Sequence, residues 1–320
     1  MRIAAPLIGA TIAVLGLVVL GGVTMAVLKS PRPDRAVEMA APATADATIA
    51  SDEPASPPPP ATLLFAGDVM LSRYVDTLML RHGMTSPWQL MADVTRAADL
   101  FFVNLEAPFS ERGPYDDDNL VFAVRPEAIE GLTFAGVDAV SRANNHYRDQ
   151  GDAGVSLTTR LLDEHDIAHT FPGAPAIVEA GAYTVGIVSS AYNLGLDETQ
   201  LRHDLAAVRL RGADLVVLTM HAGVEYVTTP NTQQIAFAHA AIDAGADLVV
   251  GHHPHVPQTT EIYGDTPIVY SLGNFIFDQF WSDATMRGQV LELTLHADGA
   301  YDWQLRDIVI NGQAQPGFVE

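Results

Sequence analysis

Hydrophobic patterning divides the chain into three regimes. Residues 3–28 form an uncharged stretch of 26 residues dominated by Leu, Ile, Val, Ala and Gly. Residues 30–60 are rich in Ala and Pro, end in Pro57-Pro58-Pro59-Pro60, and hold few large apolar side chains. From Thr62 short apolar runs alternate with amphipathic stretches. The runs at 62–66, 100–103, 139–143, 183–189, 215–220 and 248–250 predict buried strands, being too short for core helices. The stretches Pro87–Ala98, Gly154–His165, Thr199–Arg211 and Thr232–Ala244 predict helices. This alternation implies a sheet with helices packed outside it. Past Glu261, strand follows strand at 261–263, 267–271, 289–295 and 301–310, which predicts a second, mostly antiparallel sheet. The expected fold class is α/β in the α+β sense. Residues 1–29, 30–60 and 61–320 are the expected segments, with one folded domain in the last.

The 26 uncharged residues exceed the roughly 20 needed to cross a bilayer as a helix. Residues 1–29 therefore read as an N-terminal transmembrane anchor. A cleaved signal peptide is the rival reading, but its apolar region normally runs about 7–15 residues. Thr24-Met25-Ala26 is also a mediocre cleavage site. The Ala/Pro-rich linker reads as a disordered, semi-extended spacer. Lys29, Arg32 and Arg35 follow the span and only Arg2 precedes it, which opposes an outward domain under the positive-inside rule. Long domains translocate largely regardless of such charges, so residues 61–320 are expected outside the membrane.

Charge narrows the partners. The chain holds 17 Lys+Arg against 39 Asp+Glu, a net charge of -22. Residues 61–320 hold 13 basic and 34 acidic groups, a net of -21. No nucleic-acid partner is expected from so acidic a surface, and docking on anionic lipid is disfavoured. With no cysteine, disulfides, Cys-ligated zinc, iron–sulfur clusters and thiol nucleophiles are excluded.

The informative residues follow the strands. They are Gly67-Asp68, Asn104-Leu105-Glu106, Asn144-Asn145-His146, His221, and Gly251-His252-His253-Pro254-His255. In open α/β sheets, sites form beyond the carboxyl ends of strands, so these residues are expected to converge. Each has a structural alternative. Asp68 can be a turn residue or helix cap, the Asn pair a turn, and His221 a satisfied core histidine. Three imidazoles within five residues suit neither a core nor a plain loop. Two divalent cations about 3.5–4 Å apart need a bridging carboxylate, which Asp68 or Glu106 can supply. His221, His253, His255 and Asn145 can complete the shells. A nitrogen and oxygen set without sulfur suits Mn, Fe or Zn. His146 stands where a general acid for a leaving group would be needed. Neither a Gly-x-Ser-x-Gly motif nor a Gly-rich phosphate loop is present.

On those residues the chain resembles the CapA family of poly-γ-glutamate capsule synthesis proteins, a branch of the calcineurin-like metallophosphoesterases. The resemblance spans about Leu63 to Gln279. It rests on Gly67-Asp68-Val69-Met70 with Arg73, Asn104-Leu105-Glu106, and Ala143-Asn144-Asn145-His146 with Asp149 and Gly151. It continues through His221 with Glu225-Tyr226, the Gly251–His255 run, and Tyr270-Ser271-Leu272-Gly273-Asn274-Phe275 with Phe277-Asp278. The fold it implies is a four-layer αββα sandwich of metallophosphoesterase type. The metal set it implies is Asp68, Glu106 in place of a bridging aspartate, Asn145, His221, His253 and His255. His252 can register instead, and Asn104, Asn274 and Asp278 are further ligands or supports, with a turn role equally open to Asn274 and Asp278. His146 is the implied leaving-group acid. Arg73 and Glu225 are expected substrate contacts, although Arg73 can equally form a structural ion pair. Met70 occupies the place of the superfamily's first-motif histidine, and Ala222 that of a common family tryptophan.

The function implied is that of a bacterial, membrane-anchored, extracytoplasmic protein of poly-γ-glutamate synthesis or export. It would carry two divalent ions in a hydrolase-type centre acting on phosphoester or amide bonds. If residues 1–29 are cleaved, the chain would be secreted. Expected partners are the membrane, the polymer and its synthase or export subunits. A non-catalytic accessory subunit and a general envelope phosphoesterase are the alternatives.

Overall fold

Strand β1 (Ala61–Val69) is buried at nearly every position, so its apolar run carries no alternation. That pattern marks a strand covered on both faces. Leu63 and Phe65 enter one core, and Leu64 and Ala66 enter another. The computed structural model describes residues 56–115 and 120–319. Next in the chain come α1 (Arg73–His82), α2 (Ala92–Thr95), β2 (Leu100–Leu105), α3 (Ile129–Ala135), β3 (Ala139–Ser141), α4 (Gly151–Glu164), β4 (Ala168–Thr170) and β5 (Ala176–Ala180). They are followed by β6 (Tyr183–Ala191), α5 (Glu198–Leu210), β7 (Leu215–His221), α6 (Thr232–Asp243) and β8 (Leu248–His252). The chain closes with β9 (Thr260–Tyr263), β10 (Thr266–Val269), β11 (Asn274–Ile276), β12 (Arg287–Leu295), β13 (Tyr301–Ile310) and β14 (Pro316–Phe318).

Two mixed sheets result. One runs β14-β13-β12-β1-β2-β3-β4, with β11 pairing the far end of β1. The other runs β5-β6-β7-β8-β10-β9. Between them lies a core of Leu63, Phe65, Phe102, Val185, Val217, Val250 and Leu293 with their neighbours. Helices α1, α3 and α4 cover the outer face of the first sheet. Helices α5 and α6 cover the outer face of the second. The order is helix, sheet, sheet, helix.

The late strands do not form a sheet of their own. β12 to β14 extend the first sheet, and β9 and β10 extend the second. Alternation identifies a strand but not its partner. β12 pairs with β1 from Ala61↔Leu295 to Phe65↔Leu291, placing Leu291, Leu293 and Leu295 between the sheets. The expected helix at 87–98 is also corrected: a 3₁₀ turn at Ser86–Trp88 precedes the single turn of α2. Leu90 and Val94, four residues apart, both face solvent, so the apolar positions there do not form one buried stripe. Helix α1 has no counterpart among the expected elements, although Val75, Leu78 and Met79 are buried at helical spacing. The expected anchor and most of the expected linker lie outside the described residues. Among the described residues no helix is long and apolar enough to cross a membrane.

Helix α6 begins with a capping box. The Asn231 side chain accepts from the Gln234 backbone N–H at 2.9 Å, and the Gln234 side chain accepts from the Asn231 N–H at 2.9 Å. Gln234 also donates to Gln258 at 2.8 Å. Asn231→Ala is expected to cost about 1 kcal/mol and to lower the midpoint of thermal unfolding by about 2–4 °C. Calorimetry checks this.

Candidate metal centre

Strand register gathers the polar residues. Asp68 on β1 sits opposite Asn104 on β2 and opposite Asn274 on β11. His221 at the end of β7 sits opposite His252 at the end of β8. Paired strands lie about 4.8 Å apart, so these side chains start as neighbours. Gly67 permits the approach of β11: a Cβ there would collide with the carbonyl oxygen of Gly273, which accepts from the Asp68 N–H at 3.0 Å. His253 and His255 adopt φ of 97° and 57°, a left-handed region unusual for non-glycine residues and typical of functional sites.

Asp68, Asn104, Glu106, His221, His253, His255 and Asn274 are buried, and Asn145 is half-buried. Asp68 Oδ1 accepts from Asn104 Nδ2 at 2.8 Å, and Asp68 Oδ2 accepts from the His253 N–H at 3.2 Å. Asn104 Nδ2 also lies 3.2 Å from His221 Nδ1. His221 Nε2 lies 2.7 Å from Asn145 Oδ1 and 3.7 Å from Glu106 Oε1. His255 Nδ1 donates to Asn274 Oδ1 at 2.9 Å, which leaves its Nε2 lone pair free, 3.6 Å from Glu106 Oε1. Asn274 is held in turn by Gln279 and the Thr285 carbonyl, each at 3.0 Å. Among buried side-chain atoms, both Glu106 oxygens and His253 Nδ1 have no hydrogen-bond partner.

Among the described residues, three groups bring donor atoms within 4.8 Å of one another. They are Asp68–Glu106–His255, Glu106–His221–His253 and Glu225–His253–His255. Glu106 is common to the first two.

Electrostatics agrees with ligation. Burial and the adjacent Asp68 push Glu106 well above the usual carboxylate range. Burial would also raise Asp68, but the His255 hydrogen bond and the surrounding imidazoles outweigh it and hold Asp68 below that range. Burial, reinforced by His253, holds His221 well below the ordinary histidine value. Burial and His255 bring His253 down to about 4. Neutral imidazoles offer the lone pairs that cations require.

The remaining expected residues divide. His252 is not in any donor group; its Nε2 donates to the Ala66 carbonyl at 3.2 Å and its ring packs against Phe102. Asn104 and Asn274 brace Asp68, His221 and His255. Asp278 is in none of the donor groups but forms a two-point ion pair with Arg73 through Nε, at 3.2 Å, and Nη2. Arg73 thus lies on the cleft wall, over the rings of Phe122 and Phe277, with two donors already committed. The Met70 sulfur accepts from the Ser72 N–H at 3.1 Å and is buried in the core.

The cluster opens into a cleft of about 660 Å³, lined by Asn145, His146, Glu225, Tyr226, His255 and Trp281 among others. His146 Nδ1 donates to Asp149 Oδ2 at 2.7 Å, so its Nε2 is the free nitrogen. Its ring stacks on Phe122 at 3.9 Å, and the Phe122 N–H also donates to Asp149 Oδ2 at 2.7 Å. Phe122 is not among the residues expected from the sequence and carries no local signal of its role. Tyr192, whose ring lies 4.8 Å from that of His253, is not among them either. It directly follows β6, so the strand-end rule applied there would have found it.

A family model described as bacterial capsule synthesis protein PGA_cap matches residues 62–279. The capsule biosynthesis protein CapA of Bacillus anthracis is 29% identical over 249 residues, covering 69% of this chain and 61% of that protein. The PGA biosynthesis protein CapA of Bacillus subtilis is 30% identical over 279 residues, covering 80% of this chain and 73% of that protein. The match thus spans less than two thirds of the first relative's length. Among solved structures, a hypothetical protein from Thermus thermophilus shares the fold, with a TM-score of 0.51 at 20% identity. That alignment covers 77% of this chain and 99% of that one.

Proposed function

This chain belongs to the family of bacterial capsule synthesis proteins, and from that premise we propose that it serves poly-γ-glutamate synthesis or export through a divalent-metal centre in its cleft. The observation that carries the metal is Glu106, whose two oxygens are fully buried and bond to nothing. An uncompensated buried carboxylate costs several kcal/mol, and a cation removes that cost. The donors present fit such an ion: carboxylates and imidazoles without sulfur suit Mn, Fe or Zn. Asp68, Glu106 and His255 would hold one ion. Glu106, His221 and His253, with Asn145 beside them, would hold a second. Once bound, such ions polarise a phosphoryl or carbonyl oxygen as Lewis acids.

The chain's own residues supply the rest. Asp149 holds Nδ1–H and Phe122 fixes the ring plane, so when the His146 ring carries both protons, the one on Nε2 is free to pass to a leaving group in the cleft, leaving the neutral ring on Asp149. The net charge of -21 over residues 61–320 repels a glutamate polymer from the general surface. Recognition is therefore local to the cleft. A second reading, an accessory subunit without turnover, draws on Met70, which brings no imidazole to the first motif. His146 with its dedicated carboxylate favours turnover, because a purely structural metal site has no use for it.

The full-length chain, loaded with Mn²⁺ or Zn²⁺, is expected to shorten poly-γ-glutamate or cleave an aryl phosphate diester faster than the metal-free chain. Polymer retention without turnover would favour the accessory reading. Neither retention nor turnover would contradict both. The same proposal anchors the chain through residues 3–28 and puts residues 61–320 outside the cell membrane. Protease added to intact cells should then digest that part, whereas a cytoplasmic domain would survive.

A further inference from the structure

The third donor group faces outward. Glu225 is exposed, whereas His253 and His255 are buried, yet one donor atom of each lies within 4.8 Å of the others. The backbone carrying Glu225 is tied to the histidine loop. The Ala222 N–H donates to the His252 carbonyl at 3.1 Å, and the Tyr226 N–H donates to the Pro254 carbonyl at 2.8 Å. The Tyr226 hydroxyl accepts from Gln279 at 3.2 Å. Glu225 is therefore held over the two imidazoles. His253 Nδ1 is buried and without a hydrogen-bond partner, and His253 is shared between this group and that of Glu106 and His221.

Geometry limits how this group can be used. Asn274 engages His255 Nδ1, so His255 has one lone pair to offer, on Nε2. His255 is also a member of the group with Asp68 and Glu106, and its Nε2 lies 3.6 Å from Glu106 Oε1. One lone pair binds one cation at a time, so outer and inner occupancy through His255 alternate. We infer that Glu225, His253 and His255 form an exchange position for divalent cations at the cleft mouth, through which ions reach and leave the inner donors. This rests on the metal-centre reading above. It also recasts Glu225, expected to contact substrate, as a cation ligand: an exposed carboxylate repels an anionic polymer and concentrates cations.

Rapid mixing of the metal-free, full-length chain with Co²⁺, followed by its visible absorption, tests the inference. Glu225→Gln should slow both uptake and removal by EDTA by about tenfold or more, with the final metal content unchanged by mass spectrometry. Glu225→Asp should partly restore the rates. Asp283→Asn removes the same charge from an exposed position two residues from Trp281 on the cleft wall, and should match wild type. Unchanged rates in Glu225→Gln would overturn the inference, as would equal slowing in Asp283→Asn. Permanent loss of a metal equivalent in Glu225→Gln would also overturn it, because Glu225 would then be a resident ligand. If wild type binds no Co²⁺ at all, the metal-centre reading fails first.

Discussion

Glu106→Gln should abolish the thermal stabilisation that divalent metal gives the wild-type chain, without destabilising the metal-free protein. The two halves follow from one observation. Both Glu106 oxygens are buried and unpartnered, and Glu106 belongs to both inner donor groups. In wild type, metal at 100 times its dissociation constant adds about 2.7 kcal/mol. For a folded part of this size, that is a rise of roughly 5–10 °C. The amide keeps the shape but contributes no charge and ligates weakly, so the rise should shrink to within error. Without metal, a neutral amide replaces a buried carboxyl whose ionisation burial and Asp68 oppose, so the variant should unfold at or above the wild-type temperature. Calorimetry with and without Mn²⁺ decides. A variant that unfolds several degrees lower without metal would show Glu106 to be a structural group instead.

His146→Ala should lower turnover by about 10²–10⁴-fold, the usual worth of a positioned general acid, while metal content stays at the wild-type level. His146 belongs to none of the donor groups, so its loss leaves the ligand set intact. Asp149→Asn should fall between wild type and His146→Ala. It keeps the shape but weakens the 2.7 Å bond that fixes the His146 tautomer. Steady-state kinetics paired with metal analysis of the same preparations reads both effects. Turnover unaffected by His146→Ala would remove it from the chemistry. Metal lost together with turnover would make it a ligand.

Much of the cluster was legible because one rule, the polar residues that end parallel strands, is local in sequence. Asp68, Glu106, Asn145, His146, His221, His253 and His255 all follow it, and the fold brings them to one place. His252 shows where the rule needs strand parity. Along β8, residues 248, 250 and 252 share a face, and Leu248 and Val250 lie in the core between the sheets. The His252 ring follows them inward to the Ala66 carbonyl. Long-range pairing was not legible at all. Asp278 meets Arg73 across 205 residues, and nothing local marks either as the other's partner. β12 joins β1 for the same kind of reason: the choice depends on which buried faces must be covered, a property of the whole chain.

The proposed metal centre puts Glu106 between two metal ions. Crystals of the full-length chain grown with Mn²⁺, measured for anomalous scattering at the manganese edge, test it directly. Two peaks are expected about 3.5–4 Å apart, flanking the Glu106 carboxylate, one beside Asp68 and His255 and the other beside His221 and His253. Both should be absent from Glu106→Gln crystals grown in the same way. No peak at Glu106 under saturating Mn²⁺, or peaks that persist unchanged in the variant, would contradict it.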